Sequence, residues 1–471
     1  MRFTLYVMML LAILPLVMLR PFFGLCVYYV VSLLQPKLLC WHPDFQDAML
    51  VGVPLIVGAV LIGIRRKQVT PRKEVLSGKV VGLTERVVQS SLIEPSWLLL
   101  TCALMFVYIS VTRLFVPHSI AHTSYQYRGL FKMLIVMALI TGMASDYRRL
   151  RVLYIVVALS VGFWAIKGGL KVITLGPHQV YGKTYDNNLF ALTSAMVLPM
   201  VFYYGMSLRR AKWRNLLMIC SVLICLGIIG SRSRAGFVAF GFVLAGMAWS
   251  SRYRVRAVMA VFLVVIVAFA AAGNEIVDRI DSILAYQSDR SARSRFWTWE
   301  VARELVARNP VIGVGFANFE VAKETLDGGQ KAAHNIYLQN LAELGFLGHP
   351  LWLLVVIGSL VSSFRFMRWS RRLPLDMRWA YYWSRGICLG ISAFCIHGLF
   401  HNEEYLELMF VLVGLHVALQ TATRRELQLR KLQSLLPEKS RPDTAQAAPA
   451  PQPMHPGRLF GSLPCAIPTA S

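Results

Sequence analysis

Residues 215–250 read NLLMICSVLICLGIIG-SRSR-AGFVAFGFVLAGMAWS. Two apolar runs, 215–231 and 235–250, flank a short break that carries Arg232 and Arg234. Runs of this length approach what a helix needs to cross a hydrocarbon core of about 30 Å. Working outward, similar runs recur near 4–19, 22–38, 49–64, 95–116, 129–144, 152–170, 188–206, 257–273, 346–364, 379–400 and 405–421. The chain is 56% hydrophobic, with a mean hydropathy of +0.54, too apolar for its own polar surface to cover. These features predict an all-α, polytopic integral membrane protein with thirteen transmembrane helices. If the tight Arg20-Pro21 junction does not separate the first two runs, the number is twelve. The first run lacks a small-residue cleavage site and another run follows at once, so it reads as a retained helix rather than a signal peptide.

A net charge of +25 invites a nucleic-acid partner, but the distribution of that charge excludes one. The cations cluster between apolar runs: Arg65 to Lys73, Arg148 to Arg151, Arg209 to Arg214, Arg252 to Arg256, Arg365 to Arg372, and the tail from Arg424. Each cluster falls at an alternate crossing, which is the positive-inside pattern. The charge therefore reports orientation and contact with anionic membrane lipids. It places the C-terminus inside and, with thirteen crossings, the N-terminus outside. The domain organisation that follows is a membrane domain over 1–421 and a basic, then Pro/Ala-rich, disordered cytoplasmic tail over 422–471.

The longest outer segment is 274–337, and it is expected to be structured, with a helix over Ser294–Asn309 that stops at Asn309-Pro310. Polar groups held against a membrane protein's apolar walls are functional candidates. Arg232 and Arg234 stand on the side where arginine is scarce. A guanidinium at a helix centre in hydrocarbon costs about 2.5–3.5 kcal/mol, which an anionic ligand would offset, and its planar fork suits phosphate oxygens. The bland alternative is a snorkelling or carboxylate-paired arginine. Arg293 and Arg295 start the loop helix, where the positive dipole end strengthens an anion site; they could equally be solvated loop arginines or pair with Asp278, Asp281 or Asp289. His334 begins the return into the membrane, followed by Asn335, Tyr337, Gln339 and Glu343. On a helix, His334 and Tyr337 would share one face, and Gln339 and Glu343 the adjoining one. A neutral imidazole is the usual general base near pH 7, although a lone histidine is more often structural.

Several signals fail. Gly313-Val-Gly315 is no dinucleotide fingerprint. His118 and His122 lack a third metal ligand, and none of the eight cysteines forms a CxxC pair. No metal or cofactor is expected.

Together, Ser233-Arg234-Ala235-Gly236, Arg293-x-x-x-Trp297, Pro310-x-x-Gly313-x-Gly315 and His334-Asn335-Ile336-Tyr337-Leu338 resemble the shared domain of the O-antigen ligase and polymerase superfamily. The continuation from Gln339 to Gly348, the early Arg20-Pro21-x-x-Gly24 and Asp186-Asn187-Asn188 look most like exosortase A-associated O-glycosylation ligases. This chain has His334-Asn335 where that branch often has His-Ser, and Ala235-Gly236 reverses its Gly-Ala. The resemblance implies a GT-C-like fold with a ligase/polymerase core over about 188–364. It also implies a metal-independent, inverting transferase in the bacterial inner membrane, facing the periplasm. Its donor would be a glycan on undecaprenyl diphosphate and its acceptor a protein or glycan. His334 would be the base, and Arg234 and Arg293 would hold the diphosphate. Arg232, Arg295, Asn335, Tyr337 and Glu343 would support them. A repeat-unit polymerase is the nearest alternative, and a lipid-linked glycan or anion transporter the alternative of another class.

Overall fold

The computed structural model describes residues 2–40, 45–68, 92–116, 123–176, 186–249, 290–329 and 331–434. Helices dominate, and no strand occurs among the described residues. In chain order they are α1 (Arg2–Leu19), α2 (Pro21–Tyr29), α3 (Asp47–Gln68), α4 (Trp97–Thr112), α5 (Ser124–Met143), α6 (Tyr147–Leu175) and α7 (Asn187–Ser207). There follow α8 (Ala211–Gly230), α9 (Arg234–Trp249), α10 (Arg290–Arg308), α11 (Phe319–Asp327), α12 (Ile336–Ser370), α13 (Arg378–His397) and α14 (Glu407–Ser434). Each apolar run predicted from sequence coincides with a helix except 257–273. That run, the loop segment 274–289, the tail from 435, and His118 and His122 lie outside the described residues. The Arg20-Pro21 junction does separate α1 from α2: Arg20 is non-helical and Pro21 occupies the first helical position.

Five described helices, α1, α6, α7, α8 and α12, are long and apolar enough to cross a membrane, and four shorter apolar helices accompany them. The outer faces agree with that solvent. On α4, Leu100, Leu104, Val107 and Val111 are each exposed over about half of their surface, an i, i+4, i+7, i+11 stripe that suits hydrocarbon. The chain is a multi-pass membrane protein.

Close packing inside rests on small residues, as expected where lipid removes the hydrophobic drive for helix association. Gly386 and Gly390 of α13 abut the backbone of α7: a Cβ on Gly390 would lie 2.7 Å from the Met196 carbonyl oxygen. One on Gly227 of α8 would lie 2.5 Å from the Ala165 carbonyl oxygen of α6. The α7–α13 pair forms the bundle's centre.

Three boundaries depart from expectation. The loop helix α10 starts at Arg290, not Ser294. The C-terminal helix runs to Ser434, so the first part of the expected tail is helical and is tied down by Arg425 to Glu94 and Arg430 to Asp376. The third is α12, which begins ten residues before the expected 346 and is broken at Gly345 (φ 64°, ψ −174°). The expected start therefore marks the second half of a kinked helix. Residues 336–344 form a half-helix. The 25 residues from 346 to 370 span about 37 Å, enough to cross the bilayer.

The Pro310-x-x-Gly313-x-Gly315 segment is what holds this break. Val314 and Gly315 donate their N–H groups to the Ala342 and Glu343 carbonyls at 2.9 Å each. Phe346 and Leu347 donate to the Pro310 and Val311 carbonyls at 2.8 and 3.2 Å. The groups orphaned by the break are thus satisfied by the loop. Gly313 (φ 70°) is required here, because a Cβ would sit 2.4 Å from the Glu343 carbonyl oxygen.

Candidate active site

Four helix ends meet at one end of the bundle. Ser233, which precedes α9, donates through Oγ to Asn188 Oδ1 of α7 at 2.6 Å. Ile336 N–H, at the start of α12, donates to the Gly398 carbonyl just past α13 at 2.8 Å. Asp186, the cap of α7, lies close enough to His334 to act on its charge, so the first turns of α7, α9 and α12 converge with the end of α13, and three positive dipole ends address one region. Five of the first-turn amides there already have acceptors. Asp186 Oδ1 accepts from Asn188 and Leu189 N–H, Ser233 Oγ from Gly236 N–H, and Asn335 Oδ1 from Tyr337 and Leu338 N–H.

His334 sits immediately before the Asn335 cap, in a left-handed conformation with φ 50°. The expectation that it shares a helical face with Tyr337 is therefore corrected: it lies outside the helix. Its neighbours pin it. Trp299 Nε1 of α10 donates to the Ala333 carbonyl at 2.9 Å, and Ala333 N–H donates to Gln339 Oε1 at 3.0 Å. The ring is half-buried, and its Nδ1 is buried with no hydrogen-bond partner among the described residues. Burial first, then the positive charges of Arg295 and Lys331, hold its pKa below the ordinary value, with Asp186 opposing them. The imidazole is neutral at pH 7, as a base must be.

The arginines divide. Arg232 is half-buried with φ 55°, and Arg234 is exposed at the first position of α9. Of the four non-glycine residues with positive φ among the described residues, Arg232 and His334 both belong to this corner; such backbone strain clusters at functional sites. Arg295 lies close enough to His334 and His401 to repel their protons. Arg293 falls in the first turn of α10, and its side chain is outside the described residues.

Two predicted supporting residues have structural duties. Glu343 is buried and accepts from Ala317 N–H (2.9 Å) and Phe319 N–H (3.4 Å), fixing the turn into α11. Tyr337 spends its hydroxyl on the Cys395 carbonyl at 2.9 Å, tying α12 to α13.

Residues 219–353 match the family model described as O-antigen ligase. No curated protein matches the chain. The O-antigen ligase segment covers just under a third of the sequence, including the Arg232–Arg234 junction, α10, the Gly313–Gly315 clamp and His334. It supports a membrane glycosyltransferase of ligase or polymerase type, a class that implies a lipid-linked glycan donor and a glycan acceptor.

The O-antigen ligase match ends before the site does. His397 and His401 stack edge to face with ring centroids 5.1 Å apart, both almost fully buried, and their four nitrogens have no hydrogen-bond partner among the described residues. Burial lowers the His401 pKa to about 4; Asp186 opposes that shift, while His334 and Arg295 add to it. Burial and Asp186 raise Glu403. Sequence reading missed the two histidines as candidates. Their i, i+4 spacing across the end of an apolar run was the available signal, but only folding brings them to His334 from sixty residues away.

Proposed function

We propose that this chain is an O-glycan ligase. It transfers a preassembled glycan from undecaprenyl diphosphate to a hydroxyl on a protein or other envelope acceptor at the periplasmic face of the inner membrane, in the manner of exosortase A-associated ligases. The reading is carried by one observation: a neutral His334 with a buried, unpartnered Nδ1 stands beside Arg295, at the corner where α9 presents Arg234.

In this mechanism His334 accepts the acceptor hydroxyl proton as the oxygen attacks the anomeric carbon. The new C–O bond forms with inversion, and the bond to the diphosphate breaks. Undecaprenyl diphosphate departs as an anion held by Arg234 and Arg293, with Arg232 and Arg295 adding positive field. Preorganised cations aimed at developing charge stabilise such a transition state. At about 1.5–3 kcal/mol per charged hydrogen bond, loss of one arginine slows transfer roughly ten- to a few hundredfold.

The test is transfer by purified protein from an undecaprenyl diphosphate-linked glycan, in EDTA, with wild type compared against His334→Ala and Arg234→Ala. Block transfer to an added acceptor, lost in both variants, supports the ligase. A ladder of lengthening products means a polymerase. Full activity of His334→Ala, or its abolition in wild type by EDTA, rejects the mechanism.

A further inference from the structure

At the opposite end of α12 from His334, a cavity of about 1040 Å³ opens between α4, α12 and α14. Its lining changes character along the helix. Leu354, Ile357 and Val361 come first, then Ser362 and Arg365, with the aromatic Phe366 and Trp369 at the end. Gln420 and Arg424 of α14 line it beside Ser362 and Arg365. From Pro350 to Arg365 the helix rises about 22 Å, close to half of a bilayer of about 40–45 Å.

The two arginines differ from their neighbours. Arg425, next in the chain, bonds Glu94 and Ser145, and Arg430 pairs with Asp376 and Glu426. Arg365 and Arg424 are exposed and have neither a hydrogen bond nor an ion pair among the described residues. Between them and the apolar wall lies a polar band: Ser362 Oγ and Gln420 Nε2 meet the buried His416 Nε2 at 2.9 and 3.1 Å. Trp97 closes the wall by packing on Gly358, where a Cβ would lie 2.7 Å from its ring, and Trp369 also lines the groove. Tryptophans favour the interfacial level of a membrane.

We infer that this groove is a binding site for one anionic phospholipid, with its phosphate on Arg365 and Arg424, its ester region against Ser362 and Gln420, and its acyl chains along α12. The graded lining reproduces a phospholipid's own order of charged, polar and apolar parts. Basic pockets between membrane helices are suited to such head groups. The polyprenyl chain of a donor fits poorly, because its charged end belongs at the other end of the bundle and its apolar end has no use for two arginines. The inference does not depend on the proposed reaction.

Purified protein in detergent would be titrated with dioleoylphosphatidylglycerol or dioleoylphosphatidylcholine and bound lipid counted by native mass spectrometry. Wild type should retain the glycerol lipid at least tenfold better. An Arg365→Gln/Arg424→Gln double variant should lose that preference by roughly ten- to thirtyfold. Leu354→Trp, which fills the groove and leaves the arginines in place, should lose both lipids. Equal retention of the two lipids by wild type, an unchanged preference in the double variant, unchanged binding in Leu354→Trp, or displacement of the glycerol lipid by an equal dose of undecaprenyl phosphate would each overturn the inference.

Discussion

Replacing Gly345 by alanine should uncouple the half-helix that follows His334 from the rest of α12. At φ 64° and ψ −174°, only glycine is at ease, and another residue costs about 1–3 kcal/mol. The added Cβ would also stand 2.4 Å from the Val311 carbonyl oxygen and 2.6 Å from Gly313 N, backbone atoms that cannot rotate away. The alternative is to straighten the helix. That restores its own hydrogen bonds but strands the Val314 and Gly315 amides, which now donate to Ala342 and Glu343, at about 1–3 kcal/mol for each buried donor. Either route costs on the order of 2–6 kcal/mol. Gly328 supplies the control, since its φ is 71° but a Cβ there would meet nothing within 4 Å. Gly328→Ala should cost only about 1–2 kcal/mol and keep transfer intact. Thermal unfolding in detergent and glycan transfer would be measured for both. Gly345→Ala should melt lower than Gly328→Ala and lose transfer by about a hundredfold, since a 1 Å misplacement of a reacting group has that effect. Equal stability of the two variants, or wild-type transfer by Gly345→Ala, would refute the view that the clamp positions His334.

Other expectations follow from the same corner. Arg295→Gln removes a cation that disfavours protonated His334, so its pKa rises and the acid limb of the kcat/KM profile should move to higher pH. Asp186→Asn removes the opposing anion, so the same limb should move to lower pH; shifts in the same direction would contradict the assignment. Glu343→Gln can accept only one of the two amides that the carboxylate now serves and should lower stability by about 1–3 kcal/mol. Burial and the nearby Glu343 disfavour the charged form of Glu404, so Glu404→Gln should be nearly neutral when the variants' melting curves are compared.

Most of the membrane architecture was legible because a spanning helix must be apolar along its whole length, and composition alone reports that. Boundaries at apolar ends were harder where polar residues continue a helix. Ile336–Leu344 carries Gln339, Asn340 and Glu343, which keep it out of the apolar run and are explained only by their partners (Ala333, His349, Glu404 and the turn into α11). Motif spacing picked out the segment that holds Arg234 and His334, but not the division of labour within it. The glycines of Pro310–Gly315 have the composition of a phosphate loop and serve a helix break. Glu343 has the composition of an acid catalyst and serves as a turn anchor. Which role a polar residue takes depends on the backbone groups left unpaired nearby, and these arise only once distant segments meet.

The buried imidazoles of His397 and His401 give the sharpest separation between stability and function. Four ring nitrogens without a hydrogen-bond partner among the described residues represent a standing cost, since each buried unsatisfied polar group forfeits about 1–3 kcal/mol. If the site keeps them to hold an acceptor, His401→Phe should raise stability while reducing transfer. Phenylalanine keeps a ring against His397 and removes two unsatisfied nitrogens; the expected gain is about 1–2 kcal/mol. The pH dependence should change with it. In wild type the folded His401 protonates only near pH 4, against an ordinary value of 6.5. Between those values the unfolded chain takes up a proton that the folded chain does not. Wild-type stability should therefore fall as pH drops from about 6.5 towards 4, and the variant's should fall less. Melting curves across that range, run alongside transfer at pH 7, separate the cases. A stabler, flatter and slower variant places His401 in the site, whereas a variant that transfers at the wild-type rate removes it.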